Sequence, residues 1–291
     1  MVHAHERASP QSRDSREHAL SSLATILSLA ATGDGESGFH APSIADFFPA
    51  PFLFGGTAFE FNRLQLVRTV AVIALLTIFI LAARRAKLVP GRSQNVVEML
   101  LDFVRVNVAE EILGKVKARK YVPLLTTVFC SILAFNLTSV IPGLNIAGTS
   151  LIGLPLLLAA WVFAMYLGAG IRAHGLGGFL KNSLFPPGVP PFMYLLLTPI
   201  EFLTVFVIRP ATLAIRLMAN MLAGHLMLVL CLSATQYLLI EAAPSLKVFG
   251  ALTFMSALAL TLFETFIAAL QAYIFVVLTA VYLSLSIEEE H

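Results

Sequence analysis

Five stretches of this 291-residue chain are apolar over lengths that a bilayer, rather than a soluble core, requires. The runs Leu66 to Ala83, Val122 to Ile141 and Leu151 to Ile171 are each about 18 to 21 residues, enough for a helix to cross about 30 Å of hydrocarbon. Two longer runs follow, Met193 to Thr235 and Val248 to Ile287. The second holds 40 residues with no proline and one formal charge, Glu264. As one helix it measures about 60 Å, so it must tilt steeply or break. The expected fold is an all-α integral membrane protein with five crossings, the last two forming a long, tilted, antiparallel hairpin.

Composition agrees and closes off other classes. Hydrophobic residues make up 58% of the chain and charged residues 12%, and the mean hydropathy is +0.84. A net charge of +2, scattered and without a basic stripe, excludes nucleic acid as a partner. Cys130 and Cys231 lie far apart within apolar runs, which suits packed thiols rather than a disulfide framework or a zinc site. Residues 1–64 read as a polar arm, with no apolar run and cleavage site of the signal-peptide kind. The irregular spacing of His3, His5 and His18 in that arm does not suit a metal site, and no cofactor is expected. Residues 65–291 form the membrane domain.

Orientation follows from the cations. Nine of the 19 Lys and Arg fall between the first two spans, from Arg84 to Lys120, and none between Pro142 and Ser150. The positive-inside rule places the 84–120 loop in the cytoplasm, the N-terminus outside and the C-terminal tail inside. Within that loop Val96, Val97, Leu100, Leu101, Val104 and Val108 recur at helical spacing, while Glu98, Asp102 and Arg105 take other angles. An amphipathic helix along the cytoplasmic membrane surface is expected.

Packing cannot account for every residue in the spans. Glu201, Arg216, His225 and Glu264 are ionisable groups in apolar segments, where a central arginine costs about 2.5–3.5 kcal/mol on insertion scales. Asn136, Asn220 and Gln271 form a second tier, because amides also serve as interhelical hydrogen-bonding groups. Arg216 stands apart, since a guanidinium cannot escape desolvation by losing its proton. At 100° per residue Asn220 lies about 40° from Arg216 and Ala223 about 20°, whereas His225 is turned by about 180°. Ala219, Ala223 and Gly224 keep the surface near Arg216 low enough for another helix to approach. On the last segment Glu264 and Gln271 are seven residues apart and share a face. If Gln271 is level with Arg216, His225 and Glu264 come to similar depth on the outer side, as one half of an aqueous path. Glu201 then lies toward the inside, positioned to line the other half.

With those residues placed, the chain resembles subunit a of the bacterial rotary ATP synthase. The resemblance rests on RPATLAIRLMANMLAGH (Arg209 to His225) and LQAYIFVVLTAVYLSLSIEEEH (Leu270 to His291), with support from Lys120 to Gly143 and His174 to Lys181. It implies that Arg216 faces the essential carboxylate of a rotating ring of c subunits, and that Asn220, Gln271, Glu201 and Asn136 lie along the access paths. It also implies peripheral-stalk b subunits as partners, a place in the whole synthase complex, and contact with lipid in the bacterial inner membrane. Familiar members carry a glutamate where His225 stands and a histidine where Glu264 stands, so the pair is exchanged here. Ser139 occupies a position that is aspartate in some members, and the spacing from Glu201 to Arg216 is one residue longer. No G-x-x-x-x-G-K-[ST] pattern is present, so the chain is expected to translocate protons without an ATP site of its own. Two rivals fare worse. A secondary transporter is disfavoured by the lack of an inverted repeat. A metalloenzyme is disfavoured because His225 and Glu264 alone are too few ligands for zinc.

Overall fold

The computed structural model describes residues 61–85, 87, 91–141, 144, 146–185, 190–242 and 244–287. The expected arm over 1–64 lies outside the described residues except at its last four positions. The described chain is helical throughout its regular segments. In order these are α1 (Arg63–Arg84), α2 (Arg92–Val104), α3 (Glu111–Leu137), α4 (Gly153–Leu184), α5 (Tyr194–Leu203), α6 (Arg209–Gln236) and α7 (Lys247–Ile287). Five helical stretches are long and apolar enough to cross a membrane: 63–84, 94–137, 153–184, 194–241 and 244–287.

Each stretch is longer than its apolar run because helix continues into polar flanks. α2 carries the amphipathic pattern and joins α3 through a π-helical turn, Arg105–Glu110. Val104 and Val108 from its apolar stripe are fully buried, while Val96 stays exposed. The change of direction into the second span falls at Gly114, whose φ of 73° is open to glycine and strained for other residues. Gly175, with φ 72°, likewise breaks α4, and helix resumes over 176–184, beyond the apolar run that ends at Ile171.

The fourth stretch contains Pro199 and Pro210 without ending, and its chemistry shows how. A π-helical turn, Thr204–Ile208, precedes Pro210, and the Arg209 N–H reaches back to the Thr204 carbonyl. The next N–H along would serve the Val205 carbonyl, but it belongs to Pro210 and does not exist. The Tyr166 hydroxyl of α4 donates to that carbonyl instead, at 2.7 Å. Tyr166 is buried and stands edge-on to Phe163, with ring centroids 5.3 Å apart. Tyr166→Phe should therefore keep the packing but strand a buried carbonyl, at a cost of about 1–3 kcal/mol. A lowered thermal midpoint of the purified protein is the expected reading, and an unchanged midpoint would mean that Val205 finds another donor.

The 41-residue α7 is unbroken and packs against α3, α4 and α6. At about 1.5 Å per residue it is twice the hydrocarbon thickness, which requires a strong tilt. Thr235 on α6 bonds Thr253 on α7 at 2.9 Å, and Asn220 bonds Gln271 at 2.9 Å. Positions rise along one helix as they fall along the other, which makes α6 and α7 the expected antiparallel hairpin. α1 stands at the edge of the bundle, with most of its side chains exposed. Cys130 is buried on α3, Cys231 is half-buried on α6, and both are free thiols.

Candidate functional site

The two faces of α6 differ sharply. His225 is 3% exposed and points into the bundle, whereas Arg216 is exposed on the other side. Arg209, two turns earlier on the same helix, lies over the Tyr282 ring at 5.4 Å, a cation–π contact that accounts for its charge. Arg216 has no hydrogen bond or ion pair among the described residues. A guanidinium on a helix buried in hydrocarbon and lacking an internal anion calls for one from outside the chain.

Beside it, α6 and α7 enclose a groove of about 530 Å³ lined by Asn220, Ala223, Gly224, Glu264 and Gln271, with Met227 and Phe263 among its apolar walls. The Asn220 Nδ2 donates to Gln271 Oε1, which leaves the buried Gln271 Nε2 without a hydrogen-bond partner among the described residues. The level partner of Gln271 is thus Asn220, one turn beyond Arg216, so the register is shifted by a turn from the one taken in the sequence reading. From this rung, five residues along α6 and seven back along α7 cover about 7.5 and 10.5 Å. That brings His225 and Glu264 together, with Nδ1 and Oε1 3.9 Å apart and both side chains almost wholly buried. The gap is longer than a hydrogen bond and small enough for a side-chain rotation to close.

Asn136 joins the same level from α3. Fully buried, it donates to the Ala268 carbonyl of α7 at 3.4 Å and accepts from the Thr149 hydroxyl at 2.6 Å. Ser139, one turn further along the chain, adjoins the Glu264 carboxylate. Thr138, Ser139, Thr149 and Ser150 are all buried, and of these hydroxyls Thr149 meets Asn136 and Ser139 meets Glu264. Sequence reasoning missed Thr149 and Arg68. The Arg68 Nε donates to the Gly148 carbonyl at 2.8 Å, and Arg63 reaches the Leu144 carbonyl at 3.1 Å, so α1 holds the 144–150 connection against the bundle. The signal for Arg68 was its cation inside the approach to the first span. Thr149 had none.

Glu201 is not brought into this group. It is half-buried on α5, fifteen residues and about 22 Å of helix from Arg216.

The geometry defines a class: a polytopic helical membrane protein with a buried ionisable pair on one side of a helix of its long hairpin and, on the other, a cation with no charge partner among the described residues. The profile of the family described as ATP synthase A chain matches residues 65–284. The ATP synthase subunit a of Rhodococcus erythropolis is 44% identical over 254 residues, covering 87% of this chain and 92% of that protein. Those of Parafrankia sp. and Frankia alni are 41% and 38% identical, over 85% of this chain and 84% and 86% of theirs. The chain belongs to the ATP synthase A chain family.

Proposed function

We propose that this chain is the stator subunit of an ATP synthase membrane sector, providing two half-channels through which protons reach and leave a rotating c-ring. The observation that carries the reading is the exposed Arg216, without a charge partner among the described residues, on one face of α6 and the buried His225–Glu264 pair on the other. The ring supplies the missing anion. Protons enter from outside past Asn136, His225 and Glu264, and cross by Asn220 and Gln271 to a ring carboxylate. Once protonated, that carboxylate is neutral enough to turn into lipid. After nearly a full rotation it releases the proton inward, along a path to which Glu201 contributes. Arg216 favours the ionised carboxylate as it passes and keeps the two paths apart. Each charge crossing 100 mV is worth about 2.3 kcal/mol, all of it lost through a direct leak between them. The head that makes ATP and the b subunits of the peripheral stalk are other chains of the same complex.

In this reading the N-terminus is outside and the C-terminus cytoplasmic, by the charge asymmetry between the first two loops. Single cysteines test it. One at Lys117, which is exposed, should react with an impermeant thiol reagent only from the cytoplasm. Ala147 in the opposite connection is buried, so Ile141, 48% exposed, is the better reporter and should react only from outside. The reverse pattern would invert both half-channels.

A further inference from the structure

Away from the hairpin, a groove of about 600 Å³ opens between the last turns of α1 and the start of α2. Its floor is apolar, formed by Ile78 and Leu81 of α1 and Val96 of α2, and its rim carries Arg85 and Lys87. Gln94 fixes the shape with three hydrogen bonds. Its Oε1 accepts from the Lys87 N–H, and its Nε2 donates to the Lys87 carbonyl and to Glu98, all at 2.7 to 3.1 Å. The Lys87 backbone is thereby clipped to α2. The nearby carboxylate of Glu98 is engaged by that amide. Among the described residues no carboxylate pairs with Arg85 or Lys87, nor with the neighbouring Arg84 and Arg92.

We infer that this groove binds an anionic phospholipid, with its phosphate on Arg85 and Lys87 and an acyl chain along Ile78, Leu81 and Val96. The position fits because α1 is a membrane span, so the floor lies at the edge of the hydrocarbon and the rim at headgroup level. Basic side chains at such an edge lay their stems on apolar surface and turn their charge to the headgroups. A volume of 600 Å³ is in the range of small-ligand sites. A docked helix would cover the apolar floor but would have to bring its own acid to both cations. A phospholipid satisfies floor and rim with one molecule.

The test places a photoactivatable benzophenone amino acid at Val96, which is 63% exposed, in the intact complex. The complex is held in nanodiscs of phosphatidylglycerol and phosphatidylcholine in equal amounts, and the adducts are identified by mass spectrometry after illumination. Each basic side chain near a membrane surface favours anionic lipid by about fivefold. The expected adduct is therefore phosphatidylglycerol over phosphatidylcholine by about tenfold or more, and this ratio should fall toward one in the Arg85→Gln/Lys87→Gln protein. A ratio near one in the unaltered protein would overturn the inference. So would adducts that are mainly to another protein chain, or a preference that survives loss of both cations.

Discussion

Replacing Arg216 by alanine is expected to reduce both ATP-driven proton pumping and gradient-driven ATP synthesis by about a hundredfold or more, the scale of losing one preorganised charge at a reacting centre. Assembly should be nearly unaffected. Arg216 is exposed and has no hydrogen bond or ion pair among the described residues, so alanine breaks no such bond there and leaves no buried partner stranded. In the proposed mechanism, what it removes is the permanent cation that draws a ring carboxylate into its ionised form. Lysine should restore little, being a compact, hydrated charge that can lose its proton in an apolar setting. The readings are acidification of inverted vesicles and synthesis rate, each normalised to assembled complex. Near-normal pumping by an assembled Arg216→Ala complex would remove Arg216 from the mechanism.

His225→Ala and Glu264→Ala are each expected to slow passive proton conduction through membranes stripped of the ATPase head by about tenfold to a hundredfold, a range typical of a lost proton-transfer group. The two side chains face each other at 3.9 Å, both nearly sealed from solvent. On the proposed path, removing one leaves the other without the partner it exchanges protons with. The double variant should therefore lose much less than the sum of the single losses in free energy, the mark of residues acting as a unit. Familiar relatives carry the acid and the imidazole on the opposite helices, so His225→Glu combined with Glu264→His should conduct better than either single replacement. Additive losses with no recovery in the exchanged protein would make His225 an interhelical packing residue.

Much of this candidate site's geometry was legible because hydrocarbon penalises polar groups so heavily. His225, Glu264, Asn220, Gln271 and Asn136 stand out against apolar spans. Helical angles alone separate Arg216 from His225, and the structure places the two on opposite sides of α6, one exposed and one buried. Counting residues along two antiparallel helices also brings His225 to the depth of Glu264. The count was a turn out at Gln271, whose level partner is Asn220. That offset depends on how the chain passes between the two helices, and the π turn at Tyr237–Glu241 and 3₁₀ turn at Pro244–Leu246 have no pattern in residue type.

Other features were illegible for a related reason. Arg63 and Arg68 bind backbone carbonyls of the 144–150 connection, and every residue type has a carbonyl to offer. Thr149 reads as an ordinary loop hydroxyl until Asn136 is seen to need a donor. The helix beyond Gly175 carries no apolar run to mark it, because one glycine break with helix on both sides gives the same composition as a turn. The Tyr166–Val205 bond follows from the missing N–H of Pro210, yet only tertiary packing tells which hydroxyl fills it.

The central claim is that the Arg216 face of α6 is where the ring passes. Ala223 is exposed, lies about 20° around the helix from Arg216 and lines the α6–α7 groove. Ile73, 58% exposed on α1, faces away from the bundle. The direct measurement is disulfide formation, with Cys231 replaced by serine, between a cysteine at either position and one placed beside the essential carboxylate of a ring subunit. The account predicts that Ala223→Cys cross-links and stops pumping until the bond is reduced, while Ile73→Cys does neither. Cross-linking from Ile73→Cys and none from Ala223→Cys would contradict it.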